Sequence, residues 1–397
     1  MLTAPYKAAK FIAQLYEGKG QDFAERFVRE GLLSGELKRE ELSIRDLAET
    51  LIPDGREFVR ACDPRNPGGL MEAATDAVNT AAFSNITGQI AYSAIMQAYN
   101  QAPNTISSLI PTMPTRLSGE KIPGIGNLGD VAEIVEEAAA YPTYGVNEDY
   151  IETPPTVKRG FIVPVTKEAI FFDRTNILLQ RCSAVGESMR TKMEKRAIDL
   201  LIDSATGVVN RVVADHRYKW KGTSYATYQS TTPWVNLKTS NGLVDWTDIN
   251  AVNLLWAAMT DPHTGEPISI GSRTIIVCPE LEMTARSILT ATAWQVGNTT
   301  GTDPVRIGPN LVNGYSLVSS QQLNARALAD SQLGTTWYIA DLSKAFVYME
   351  NFPLTVTQAA PNGEDDFNRD IVTKYKVSER GAFATMDPRY VIRSTVA

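Results

Sequence analysis

The run Pro164-Val165-Thr166-Lys167-Glu168-Ala169-Ile170-Phe171-Phe172-Asp173, continuing through Ile177 to Ser204, decides how the rest of the chain is read. Leading into it, Thr156, Lys158 and Gly160 alternate with Val157, Arg159, Phe161, Val163 and Val165, the period of a strand. Past Asp173 or Thr175, either of which can cap a helix, the period changes. Leu178, Cys182, Val185, Met189, Met193 and Leu200 then recur at helical spacing. At ~1.5 Å per residue, a helix over 177–204 is a rod of roughly 42 Å, with Gly186 as its one weak former. Glu187, Arg190, Lys192, Glu194, Lys195 and Asp199 fall on its other faces, so it is expected to bury one side and expose the other.

Upstream, Ile134-Val135-Glu136-Glu137 is expected to oppose the strand, with Tyr141 to Pro155 as the tip of a thin hairpin over 131–165. Pro103, Pro111, Pro114 and Pro123 remove backbone donors from the preceding segment, which reads as an extended arm without regular structure. A helix is expected before it, from Ser84 through Ile86, Ile90, Ala94 and Ala98. Residues 1–62 read as short amphipathic helices, broken at Asp54-Gly55 and ended by the turn-forming run Asp63 to Gly69.

Downstream, Tyr218-Lys219-Trp220 faces Tyr225 to Tyr228 across Lys221-Gly222, a hairpin signature. A helix capped at Thr247 runs through Ile249, Val252, Leu255 and Met259. Thr274 to Val277 reads as a buried strand and Glu280 to Leu289 as a helix. Strands return at Thr336–Ile339, Ala345–Tyr348, Ile371–Val377 and Tyr390–Ile392, giving an α+β class overall.

Composition removes several functions. The 397 residues call for two or three subdomains, and 38 Lys+Arg against 45 Asp+Glu leave a net charge of −7, the wrong sign for bulk phosphate binding. The three cysteines, Cys62, Cys182 and Cys278, are too few and too scattered for a disulfide framework and read as small core residues. No early stretch has signal-peptide form, and no segment reaches the ~20 apolar residues that cross a bilayer, so no membrane partner is expected. Gly124-Ile125-Gly126-Asn127-Leu128-Gly129, with Glu148 and Asp149 following, spells the dinucleotide fingerprint. Prolines occupy the place of its strand, so a glycine-rich bend is the better reading. His216 and His263 lack metal-ligand or triad spacing. Arg217, Lys219 and Lys221 among Tyr218, Trp220, Tyr225 and Tyr228 have a single-strand-binding composition, but cross-strand packing explains them better. No cofactor, metal or catalytic residue is expected.

A proline-rich arm, a two-stranded projection, a long half-exposed helix and a mixed body resemble the major capsid protein of tailed bacteriophages, with its Hong Kong ninety-seven type fold. Residues 131–165 resemble the E-loop, Pro164 to Ser204 the entry and spine helix of the peripheral domain, and Phe367 to Val391 its returning strands. The resemblance implies an N-terminal helical segment over 1–63, an N-arm over 64–130, and a peripheral domain over 166–245 and 333–397. An axial domain over 246–332 completes it. It implies a virion shell protein, assembled in the host bacterial cytoplasm into pentamers and hexamers of itself around double-stranded DNA bound without sequence preference. Portal, scaffolding or decoration proteins are the implied further partners. Contacts between subunits are expected at Tyr141, Tyr144, Tyr150, Ile151 and Arg159 of the E-loop, and at Glu187, Arg190 and Lys192 of the spine helix. The lysine-to-asparagine cross-link of some relatives is not expected, because 131–155 holds no lysine. An encapsulin-like compartment is the alternative within the fold, and a soluble α/β enzyme the alternative outside it.

Overall fold

The structure, a computed structural model, describes residues 5–19, 21–34, 37, 42–52, 55–61, 77–126, 134–137, 140–141, 149–172, 175–203, 218–262, 264–268, 271, 273–296, 306–310, 312, 314–329, 334–359 and 371–396. Helices α1 (Pro5–Lys19), α2 (Gln21–Ser34), α3 (Ile44–Leu51), α4 (Gly55–Ala61) and α5 (Ala77–Gln101) precede strands β1 (Thr112–Pro114), β2 (Lys121–Pro123), β3 (Tyr150–Glu152) and β4 (Val157–Thr166). A short α6 (Lys167–Phe171) leads to α7 (Thr175–Ile202), then β5 (Tyr218–Trp220), β6 (Thr223–Tyr225), β7 (Leu237–Lys238), α8 (Trp246–Ala257) and β8 (Thr274–Val277). The chain closes with α9 (Pro279–Thr290), β9 (Ala293–Val296), β10 (Arg306–Pro309), β11 (Ser316–Ser319), α10 (Gln321–Ala329), β12 (Trp337–Ala340), α11 (Leu342–Ala345), β13 (Phe346–Gln358), β14 (Ile371–Thr385) and β15 (Val391–Ser394). This is an α+β chain.

Two compact units divide it. The first comprises Met1–Pro103, Lys158–Lys192 and Phe352–Arg380. The N-terminal helices therefore share a unit with the first two thirds of α7, whereas the resemblance grouped 166–245 with 333–397. The cause is a common core. In α3, Ile44, Leu47, Ala48 and Leu51 sit at i, i+3, i+4 and i+7 and are buried, and the Ser43 hydroxyl accepts the Asp46 amide at 3.2 Å as a cap. They join Ile86, Ile90 and Ile95 of α5, Leu178 and Cys182 of α7, and Val377 of β14. Burial pushes the Cys182 thiol up to about 11, as expected of a core residue. Gly186 does not weaken α7; it is where α5 crosses. A Cβ there would collide with the Ile95 carbonyl oxygen and lie 2.9 Å from the Tyr99 nitrogen.

The second unit comprises Asn104–Val157, Met193–Asn351 and Gly381–Ala397. Its main sheet runs β11-β8-β12-β15-β7, and β8 and β12 are buried at every position, as expected of a strand covered on both faces. Ile249, Val252 and Trp256 of α8 and Ala285 of α9 complete that core. The cap of α8 is Asp245, paired reciprocally with Asp248, rather than Thr247. The expected β5–β6 hairpin forms, with Lys221 at φ 52° and Gly222 at φ 78°, the two positive angles of a primed turn. A second sheet runs β2-β3-β5-β6.

Three expectations are corrected. The proline-rich arm contains strands: β1 pairs in parallel with Tyr348–Glu350 of β13, and β2 pairs with β3. Ile134–Glu137 is not a strand, and β4 lies beside β14 instead of folding into a hairpin with it. Along the last third of α7, Glu194, Arg196 and Asp199 are 3–4% exposed, so no charged face remains there. The cause is local crowding: Asp199 takes Arg326 in a two-point ion pair at 2.5 and 2.6 Å, and Arg196 donates to the Gly381 carbonyl at 3.0 Å with its guanidinium 5.3 Å from the Phe383 ring centroid. His216, His263, Arg217 and Cys62 lie outside the described residues.

Gly186→Val forces α5 and α7 apart, and overpacking of this kind costs about 1–3 kcal/mol. Urea unfolding of the purified chain is expected to show a loss of that size; a midpoint equal to the parent's would show that the helices do not cross here.

Candidate assembly surface

From Asn104 onward the chain leaves α5, and its first backbone groups need acceptors. Glu194 supplies them: its carboxylate accepts the amides of Thr105 (3.1 Å), Ile106 (2.8 Å) and Ser107 (2.9 Å), and the Thr105 hydroxyl (2.7 Å). These are the donors left open at the start of a short 3-10 turn, Ser107–Leu109. Burial pushes the Glu194 pKa up, but the hydrogen bonds from Ser107, Ile106 and Thr105 outweigh it and hold the carboxyl below its ordinary range. Farther on, the Asn351 amide donates to the Thr115 and Leu117 carbonyls at 3.0 and 3.1 Å, and Thr153 and Glu120 exchange hydrogen bonds at 2.9 Å. At the end of the arm, Asp149 accepts the Gly126 amide and the Trp220 indole N–H, both at 2.5 Å. The Gly126 amide of the fingerprint-like run is thus taken by the chain's own carboxylate, which supports the reading as a bend.

What remains open lies beyond the arm. Ile134 is 100% and Tyr141 84% exposed. Strand β4 is an edge strand, and Val157 and Ile162 are 41% and 56% exposed, while Val163 and Val165 are buried. An apolar edge strand left bare is a template for another chain.

The expected contact residues differ in their surroundings. Tyr141 is exposed as expected of a contact, and Tyr144 lies outside the described residues. Tyr150 is half-buried in β3 with the Lys121 ammonium 4.2 Å from its ring centroid. Ile151 is a correction: at 2% exposure it packs with Ile125, Tyr218 and Trp234, so its side chain is used within the subunit. Arg159 is half-buried and engaged within the chain. On α7, Glu187 and Lys192 are exposed, whereas the Arg190 guanidinium lies 5.2 Å from the Tyr99 ring centroid of its own unit. Sequence reading missed Glu194 and Asp149 as anchors. The run of hydroxyls Thr105, Ser107 and Ser108 was the available signal of an unmet turn start. Among the described residues no group of three or more His, Cys, Asp and Glu side chains is placed to hold a metal ion, and no helix is long and apolar enough to cross a membrane.

A family model described as phage capsid protein matches residues 149–394. No curated protein matches the chain. Among solved structures, the capsid of an empty GTA particle aligns with TM-score 0.45 and 12% identity over 74% of this chain and 89% of that one. A Mycobacterium phage Bobi chain aligns with TM-score 0.44 and 13% identity over 74% and 91%. The capsid of cyanophage P-SCSP1u aligns with TM-score 0.44 and 12% identity over 75% and 89%.

Glu194→Gln removes a charge that four donors face, and hydrogen bonds to a charged group contribute about 1.5–3 kcal/mol. Because the folded carboxyl titrates below the unfolded one, its contribution is fully present above the ordinary carboxylate range and is lost as pH falls through the folded value. Denaturant unfolding at pH 7 and pH 3 is expected to show a deficit of about 2 kcal/mol in the variant at pH 7 that shrinks at pH 3. A deficit that stays constant with pH contradicts the anchoring charge.

Proposed function

Because the chain belongs to the phage capsid protein family, we propose that it is the major capsid protein of a tailed bacteriophage and that its copies close into an icosahedral shell around double-stranded DNA. Membership makes it a structural protein of the virion. Pentamers and hexamers of the chain are the building blocks, formed in the host cytoplasm, with portal and scaffolding or decoration proteins as further partners. In this reading 64–130 is the N-arm, 131–165 the E-loop, 166–245 with 333–397 the peripheral domain and 246–332 the axial domain.

The observation that carries the contact mechanism is the exposure of Ile134 and Tyr141, next in sequence to an arm whose Thr105, Ile106, Ser107 and Gly126 amides are taken within its own chain. Burying such side chains on a neighbour contributes roughly 1.5–3 kcal/mol each. Glu187 and Lys192 add rim pairs of about 0–1 kcal/mol, enough to set register. A subunit charge of −7 suits a container wall, since packed DNA is held without strong phosphate binding.

Purified chain is expected to form closed particles by negative-stain microscopy. The double variant Ile134→Glu, Tyr141→Glu changes only exposed side chains, so its thermal stability is expected to stay within about 0.5 kcal/mol of the parent. It is expected to form no closed particles. Normal shells from it would remove this segment from assembly, and a parent that forms only monomers or small oligomers would contradict the shell.

A further inference from the structure

We propose that the helices over residues 5–61 are a permanent part of the subunit, closing its core and backing the base of strand β4, and are not a segment shed before or after assembly. The family match begins at residue 149 and says nothing of them. The inference goes beyond the shell reading and rests on the subunit alone.

The seam is the argument. A segment built to leave presents polar surface where it meets the rest, so that its departure uncovers little apolar area. Here Ile12 of α1, Val28 and Leu32 of α2, Leu47 and Leu51 of α3 and Val59 of α4 are each at most 8% exposed and belong to one hydrophobic cluster. The other side of that cluster is Ile86, Ile90 and Ile95 of α5, Val163 and Val165 of β4, Leu178 of α7, and Tyr375 and Val377 of β14. Removal of the four helices would uncover the apolar side chains that they now bury.

A polar tie sits inside the same seam. The Ile44 amide, at the start of α3, donates to the hydroxyl of Thr175, the first residue of α7, at 3.0 Å, and both residues are buried. Losing α3 would remove that hydrogen bond from the head of α7.

Strand β4 shows what the cover does. Val163 and Val165, at its base, end in the helical core, while Phe161 and Ile162, farther along the strand, are 37% and 56% exposed. The helices thus hold the base of the strand from within before any neighbour meets its outer residues. Intramolecular cover takes the place of an external support for this strand.

The test splits the full chain without deleting anything. A protease recognition sequence placed between Gly68 and Gly69 is cut in the purified, unassembled subunit, and the two fragments are followed by size-exclusion chromatography. They are expected to co-elute and to unfold together in one thermal transition. Leu47→Asp in the same cut chain is expected to raise the separated fraction at least tenfold. Particles grown from uncut chain are expected to contain the residues 5–61 peptides in equal amount to the C-terminal ones by mass spectrometry. Separation of the fragments in buffer with a soluble remainder, indifference of the cut chain to Leu47→Asp, or particles lacking the N-terminal peptides would each overturn the proposal. The split-chain result is read on subunits, so a failure to form shells would leave it standing and would count against the shell reading alone.

Discussion

Over Met193–Ile202, helix α7 carries Glu194, Arg196 and Asp199 at 3–4% exposure, and a charge taken out of water must be met by hydrogen bonds or by an opposite charge. The requirement fixes three distant pieces of sequence on one helix. Glu194 takes the amides at the head of the arm, Asp199 takes Arg326 of α10, and Arg196 takes the Gly381 carbonyl while lying over the Phe383 ring. Removing one partner of a buried pair costs about 3–5 kcal/mol, more than most single apolar contacts, so these ties specify position more sharply than the surrounding core does. The first two thirds of the helix is placed differently, by apolar packing and by the close crossing at Gly186.

That division explains what could be read in advance. Where α7 packs by apolar periodicity, Leu178, Cys182 and Met189 gave the buried face correctly. In its last third Ala197, Ile198, Leu200 and Leu201 are buried together with the charged residues, and a stripe rule written for one-sided burial puts Glu194 and Asp199 in solvent. The β5–β6 hairpin was legible because its signal is local: a two-residue connection between aromatic-rich runs requires positive φ, which Gly222 adopts without cost. The partners of β1 and β4 were not, since Thr112 pairs with Tyr348 and β4 with β14 across more than two hundred residues. Nothing in the arm or the strand announces such a partner. Among the residues expected to meet a neighbour, Tyr141 is exposed, whereas Ile151, which looks equivalent in sequence, is core, because only the register of β3 against β2 and β5 decides which of its side chains points inward.

The prolines obey a rule that the sequence states only in part. Pro114 and Pro123, in an arm expected to lack regular structure, lie in strands, as does Pro164 of the expected strand, and each of those strands is at a sheet edge. An edge position has a free side where the missing N–H costs nothing. Pro353 sits in β13, which is flanked by β1 and β14, but β1 reaches only Tyr348–Glu350, so Pro353 lies past the end of that pairing. Proline placement thus marks where each ladder stops, and it blunts edges that would otherwise pair at random.

A chain with a long proline-rich arm is expected to leave backbone groups to be completed by neighbours. The arm shows the opposite economy. Between Asn104 and Gly126 several of its donors go to Glu194, β13, Thr153 and Asp149, all within its own unit. Exposed apolar side chains remain at Ile134, Tyr141 and the outer positions of β4, which is itself a sheet edge. Neighbours can bind there through a few apolar contacts each, and such contacts are weak one at a time. In a closed surface every subunit is held by several of them at once, so a misplaced copy leaves while a correctly surrounded one stays. Strength in a closed wall then comes from closure and not from any single contact.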